Sequence, residues 1–127
     1  MNERDTKNKP NPLKDKSFQF ALKIIQLYKY LTEDKREFIM SKQLLRSGTS
    51  IGANIREGQN AQSKPDFIHK FSIAQKECDE TLYWLELLHQ SEYLTEKEFR
   101  SIHSDATELL KMLRSFILTT KQSIHHS

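Results

Sequence analysis

The stretch Ser50-Ile51-Gly52-Ala53-Asn54-Ile55-Arg56-Glu57-Gly58 decides how this chain folds. It closes a longer run from Gln43 in which Leu44, Gly48, Ile51 and Ile55 fall three or four residues apart, as on one face of an α-helix. Gly48 and Gly52 stand inside that pattern, where each costs about 1 kcal/mol relative to alanine. Such a cost is offset where a neighbouring helix or a ligand approaches the bare backbone. Asn54 and Glu57 set an amide and a carboxylate three residues apart near the apolar edge. The stretch reads as a packed helix, running to about Gly58.

Towards the N-terminus, Thr32-Glu33-Asp34-Lys35 is a short link with cap-capable residues, so the helix before it packs antiparallel. That first helix spans about Ser17 to Leu31. Phe18, Ala21, Leu22, Ile25 and Tyr28 form one apolar stripe, and Phe20, Ile24, Leu27 and Leu31 form a second, turned away from the first. A helix apolar on two faces is covered on two sides, and in so small a domain one of them is assigned to another subunit. Residues 1–16 are polar, hold Pro10 and Pro12, and lack an apolar period; they read as a mobile arm.

Towards the C-terminus, Ser63 with Pro65 and Asp66 reads as the cap and first turn of a third helix over Lys64 to Gln90. Phe67, Phe71, Ala74, Cys78, Leu82 and Leu85 are its core stripe, with Cys78 a small buried hydrophobe. Ile73, Glu80, Trp84 and Leu87 make a second seam. Trp84 either packs on helix 1 or helix 4 or anchors a subunit interface, where Trp is enriched. With helix 1 showing the same two-faced pattern, the oligomer is preferred, its interface formed by Phe20, Ile24, Leu27, Ile73, Trp84 and Leu87.

Thr95-Glu96-Lys97-Glu98 is a capping box opening a fourth helix, whose core face is Phe99, Ile102, Ala106, Leu109, Leu110, Leu113 and Phe116. Residues 122–127 read as a frayed tail, leaving 17–121 as the folded domain. The architecture is all-α, an antiparallel up-down-up-down four-helix bundle. Composition agrees: charged residues are 29% of 127, while glycine and proline number 3 each, which disfavours a turn-rich β protein.

From Phe18 to Leu118 the chain resembles a bacterial four-helix-bundle family named for proteins encoded in intervening sequences of large ribosomal RNA genes. A related branch is the accessory protein of diversity-generating retroelements. The likeness rests on Gln43-Leu44-Leu45-Arg46, Ser50-Ile51 through Glu57-Gly58, Phe67, Ile73-Ala74, Glu80-Thr81-Leu82 and Trp84 to Leu88. It implies the bundle fold, rings of five subunits and no enzymatic activity.

Charge carries the functional expectation. On helix 2, Lys35, Lys42, Arg46 and Arg56 collect within a quarter turn at ~100° per residue. On helix 4, Lys97, Arg100, Lys111, Arg114 and Lys121 take one flank, and Glu98, Asp105 and Glu108 the other. The net charge of +3 is mild, but a ring would repeat each basic stripe around an axis. These nine cations would contact phosphates of structured RNA or a ribonucleoprotein, with little sequence preference. The alternative is a protein-interaction scaffold for an enzyme such as a reverse transcriptase, without nucleic-acid contact.

Catalytic chemistry finds little footing. A di-iron bundle needs a Glu-x-x-His motif from each of two helices. Glu86 to His89 is the lone instance, since Arg100 stands where the glutamate before His103 would be. No cofactor or metal is expected. Asn54, Glu57, Glu77 and Glu80 read as a structural polar network, with Asn54 and Arg46 satisfying Glu77 or Glu80, rather than as an acid–base group. One cysteine and no leader sequence place the chain in the cytoplasm, and no apolar run approaches the ~20 residues that cross a bilayer.

Overall fold

The computed structural model describes residues 11–125, which form four α-helices: α1 Pro12–Glu33, α2 Met40–Gln59, α3 Lys64–Gln90 and α4 Glu96–His125. Each helix packs on two others, α1 on α2 and α4, and α3 on α2 and α4, around one core.

Two boundaries differ from the sequence expectation at α1 and α2. Helix α1 begins at Pro12, so the supposed arm is helical over 12–16, and residues 1–10 lie outside the described residues. Asn11 is the reason: its Oδ1 accepts the Lys14 N–H at 3.2 Å, Pro12 supplies a preset φ, and Leu13 is buried. Proline here starts a helix rather than breaking one. Helix α2 begins only at Met40, because Glu37 caps it from outside. Its carboxylate accepts the N–H groups of Ile39, Met40 and Ser41 at 3.1, 3.1 and 2.7 Å. Arg36 turns the link with φ of 56°.

Helices α3 and α4 start where their caps place them. Ser63 Oγ accepts the Asp66 N–H at 3.2 Å. The Thr95 N–H donates to Glu98 Oε1 at 2.8 Å, and the Glu98 N–H to Thr95 Oγ1 at 3.2 Å. Helix α4 continues to His125, through most of the expected tail; residues 126–127 lie outside the described residues.

Pairings between helices run in opposite numbering senses. Ile24 meets Gly48 and Ser17 meets Gly52 between α1 and α2. Ser47 meets Thr81 and Glu57 meets Lys70 between α2 and α3. The Cys78 thiol donates to Ala106 O at 3.2 Å and Lys64 Nζ to Ser123 Oγ at 2.5 Å between α3 and α4. Lys16 and Lys23 reach Glu108 and Asp105 between α1 and α4. The glycine cost inside α2 is thus offset by a helix: α1 lies against the bare backbone.

Leu44, Gly48, Ile51 and Ile55 are all buried, as their spacing requires. Of the two stripes on α1, Phe20, Ile24 and Leu31 enter the core, while Phe18 and Leu22 remain 49% and 41% exposed. On α4 the core closes with Ile117 rather than Phe116. Ile117 stands four residues after Leu113 and stays on the inner face, whereas Phe116 drifts to the flank and meets Phe71 edge-on, ring centroids 6.0 Å apart.

Candidate nucleic-acid interface

The nine cations expected at phosphates are all exposed, but they are not equally available. Arg46 is engaged: its guanidinium spans Glu77, at 3.1 Å, and Glu80 on α3. Partial burial pulls its pKa down, and those two carboxylates more than reverse that, so the charge is locked on and locally cancelled. Arg100 binds Glu96 one turn earlier at 2.9 Å; this hydrogen bond, with His89 beside it, holds Glu96 below the usual carboxylate range. Lys35 lies over the Tyr30 ring at 5.9 Å. Arg46 and Arg100 therefore leave the list of free cations.

Lys42, Arg56, Lys97, Lys111, Arg114 and Lys121 make no ion pair with any described residue. Four of these six stand on α4, and the tertiary structure explains why they are unopposed. Helix α1 draws the acidic flank of α4 to itself, Lys16 pairing with Glu108 at 2.9 Å and Lys23 with Asp105 at 2.6 Å. Glu98 is turned into its own helix cap. On the other side, no helix reaches the basic flank with a carboxylate among the described residues, and Arg100 alone of it is paired, with Glu96 of its own helix. Sequence reasoning found the two flanks; the partners Lys16 and Lys23 on α1 could not be assigned without the packing.

The polar network is real at one end only. Glu80 Oε2 also accepts the Trp84 indole N–H at 3.2 Å, so Arg46, Glu77, Glu80 and Trp84 form one cluster across α2 and α3. Asn54 and Glu57 do not belong to it. Asn54 donates to Ser50 O at 2.9 Å within its own helix, and Glu57 faces Lys70 at 3.8 Å. They lie two to three turns further along α2 than Arg46, beyond side-chain reach of Glu80.

The expected interface set also divides. Phe20 and Ile24 are buried inside the monomer and cannot meet another subunit. Leu27, Ile73, Trp84 and Leu87 are half-buried. The apolar side chains that α1 leaves uncovered are Phe18 and Leu22, beside a groove of 440 Å³ between α1 and α2 floored by Ala21, Ile25, Gly52 and Ala53. The Glu86 and His89 side chains separate, Glu86 to His103 at 3.4 Å and His89 to Glu96 at 2.8 Å. Among the described residues no group of three or more His, Cys, Asp or Glu is placed to hold a metal. No helix is long and apolar enough to cross a membrane.

Residues 11–115 match the family described as 23S rRNA-intervening sequence protein. The chain belongs to that family. A crystal structure of a protein of unknown function from the S23 ribosomal protein family of Bacteroides thetaiotaomicron VPI-5482 is 58% identical to it. That likeness covers 83% of this chain and 97% of that one, with a TM-score of 0.82. No curated protein matches the chain. Membership in the 23S rRNA-intervening sequence protein family accords with the four helices and names no ligand, so the charged flank of α4 remains the feature from which a function is argued.

Proposed function

We propose that this member of the 23S rRNA-intervening sequence protein family is a non-enzymatic, cytoplasmic RNA-binding protein. It contacts phosphates of structured RNA through Lys97, Lys111, Arg114 and Lys121 on α4, with Lys42 and Arg56 on α2 as outlying contacts. The observation that carries this reading is the set of unpaired cations on one flank of α4: α1 neutralises Asp105 and Glu108, and Lys97, Lys111, Arg114 and Lys121 face outward without an ion pair to any described residue. Phosphate contacts position an RNA without reading its sequence. The reading includes an up-down-up-down bundle, supported by the opposed numbering of every packed helix pair, and a homo-oligomeric ring, five-fold as the family likeness implies. In such a ring the surface to be covered is the Phe18–Leu22 side of α1 and the adjoining groove.

That groove favours a second reading, a scaffold for a protein such as a reverse transcriptase. Light scattering with and without a structured RNA, at low and physiological salt, separates the two. An oligomer that takes up RNA at low salt and releases it as salt rises supports the first reading. An oligomer indifferent to RNA in both buffers refutes it, and a monomer refutes the ring.

A further inference from the structure

The helix pairings divide the bundle into two halves of unequal charge. Residues 11–22, 50–76 and 108–125 hold nine lysines and arginines against four carboxylates, whereas residues 23–49 and 77–107 hold eight against eleven. The positive half is where α1 and α3 begin and α2 and α4 end. A field of one sign over one half of a molecule concentrates anions there.

In that half a groove of 550 Å³ runs between the α2–α3 link and the last turns of α4. Its walls differ from those of the apolar α1–α2 groove. Gln59, Gln62, Thr119 and Ser123 offer amides and hydroxyls, Lys64 a cation, and Phe67 the aromatic wall; no carboxylate lines it. The α1–α2 groove, by contrast, has Glu57 beside Lys14 and Arg56.

We infer that this groove seats one unpaired nucleotide of a bound RNA. The inference rests on the RNA-binding reading above and adds to it a point at which the RNA is read. A nucleotide presents a flat apolar face, a hydrogen-bonding edge and an anionic phosphate, and the groove has a counterpart for each. Phe67 is backed by the Phe71 ring, stacked with centroids 4.0 Å apart, and so offers a supported surface for a base. Gln62 makes no hydrogen bond to any described residue, and its amide carries both a donor and an acceptor for a base edge. Gln59 donates its amide to Asn11 Oδ1 at 3.0 Å, which leaves its carbonyl oxygen for the same use. Lys64, held by Ser123, sets a positive charge at the rim for the phosphate. A base paired within an A-form duplex cannot present its face to Phe67, so the occupant is unpaired.

The test compares two RNA hairpins with equal numbers of phosphates, one fully paired and one carrying a single-nucleotide bulge, by fluorescence anisotropy on the full chain. The bulged hairpin binds about ten-fold tighter, the worth of one base stack. Phe67→Leu, which keeps an apolar side chain against Phe71 but removes the flat face, removes most of that preference and leaves the paired hairpin's affinity unchanged. Equal affinity for both hairpins overturns the groove and spares the α4 surface; a preference that survives Phe67→Leu also overturns it. A poly-glutamate peptide binding as tightly as the bulged hairpin overturns it in favour of an acidic protein. Should neither hairpin bind, the α4 reading falls, and titration with a 5′-mononucleotide decides the groove alone. A shift of the Gln62 side-chain amide resonances supports it, and unmoved resonances overturn it.

Discussion

Gly48 lies so close beneath Ile24 that a β-carbon built on it would stand 2.8 Å from Ile24 Cγ1 and 2.9 Å from Cγ2. The α1–α2 distance is set by this absent methyl. Gly52, one turn on, is different: its β-carbon would meet Ser17 Oγ at 3.4 Å, an ordinary contact.

The two glycines therefore respond oppositely to alanine. Overpacking at Gly48→Ala costs about 1–3 kcal/mol against a gain of about 1 kcal/mol in helix propensity, for a net loss of about 1 kcal/mol. Gly52→Ala keeps the gain and is neutral or up to about 1 kcal/mol more stable. Urea midpoints at unchanged slope measure both. A G48A protein more stable than the parent would contradict the packing.

Replacing Arg46 with Met leaves the Glu77 and Glu80 carboxylates without their shared cation. The Arg46 side chain is 49% exposed, so screening holds the loss to about 1 kcal/mol. Trp84 is the single tryptophan, and its indole N–H rests on Glu80, so the same change shifts native fluorescence. An emission spectrum identical to the parent's would place Trp84 outside the cluster.

Glu37 makes the start of α2 acid-sensitive. Burial pushes its carboxyl up, but the N–H groups of Ser41, Met40 and Ile39 outweigh that and hold it below its ordinary 4.5. Because the folded value is the lower one, the carboxylate's stabilisation is fully present above 4.5 and is lost as pH falls through the folded value. Glu37→Gln is expected to cost about 1 kcal/mol near neutrality, the usual worth of a helix cap. The gap between variant and parent should narrow below pH 4.5 in a pH series of urea unfolding curves.

Cys78 is inert in the native protein. Burial first, then the Asp79 carboxylate, push its thiol up to about 12, with Arg114 pulling slightly back. Ellman's reagent at mild alkaline pH should find no reactive thiol until denaturant is added, and then one per chain. Fast labelling of the native protein would mean that the α3–α4 seam opens.

Charge reversal at Lys111, Arg114 and Lys121 together should abolish low-salt affinity for a structured RNA. If all three neutralise phosphates, the salt slope of the parent exceeds that of a triple alanine variant by about 2–3. Arg100→Glu alone should change little, because Arg100 is already spent on Glu96. An unchanged affinity in the reversed variant would remove α4 as the RNA surface.

The helices, their order and their caps were legible from local signals. Ser63, the Thr95–Glu98 box and the Leu44–Ile55 spacing act within a few residues, and the structure places them as read. Where two local rules competed, the reading slipped. Asn11 and Pro12 fall within what reads as a mobile arm and instead cap and open α1, and Glu37 moves the start of α2 from near Lys35 to Met40.

By itself, then, the sequence determined an all-α chain of four amphipathic helices, the buried face of α2 and the two charged flanks of α4. Periodicity and capping are properties of a single helix and need no neighbour. Only the tertiary structure decided which stripe of α1 is the core, which cations are free, and that Asn54 and Glu57 stand apart from the Arg46 cluster. These depend on which helix lies alongside and in what register, and side chains distant in sequence are paired only by packing. Lys23 and Asp105 meet at 2.6 Å because α1 lies beside α4, and that placement leaves the basic flank facing water.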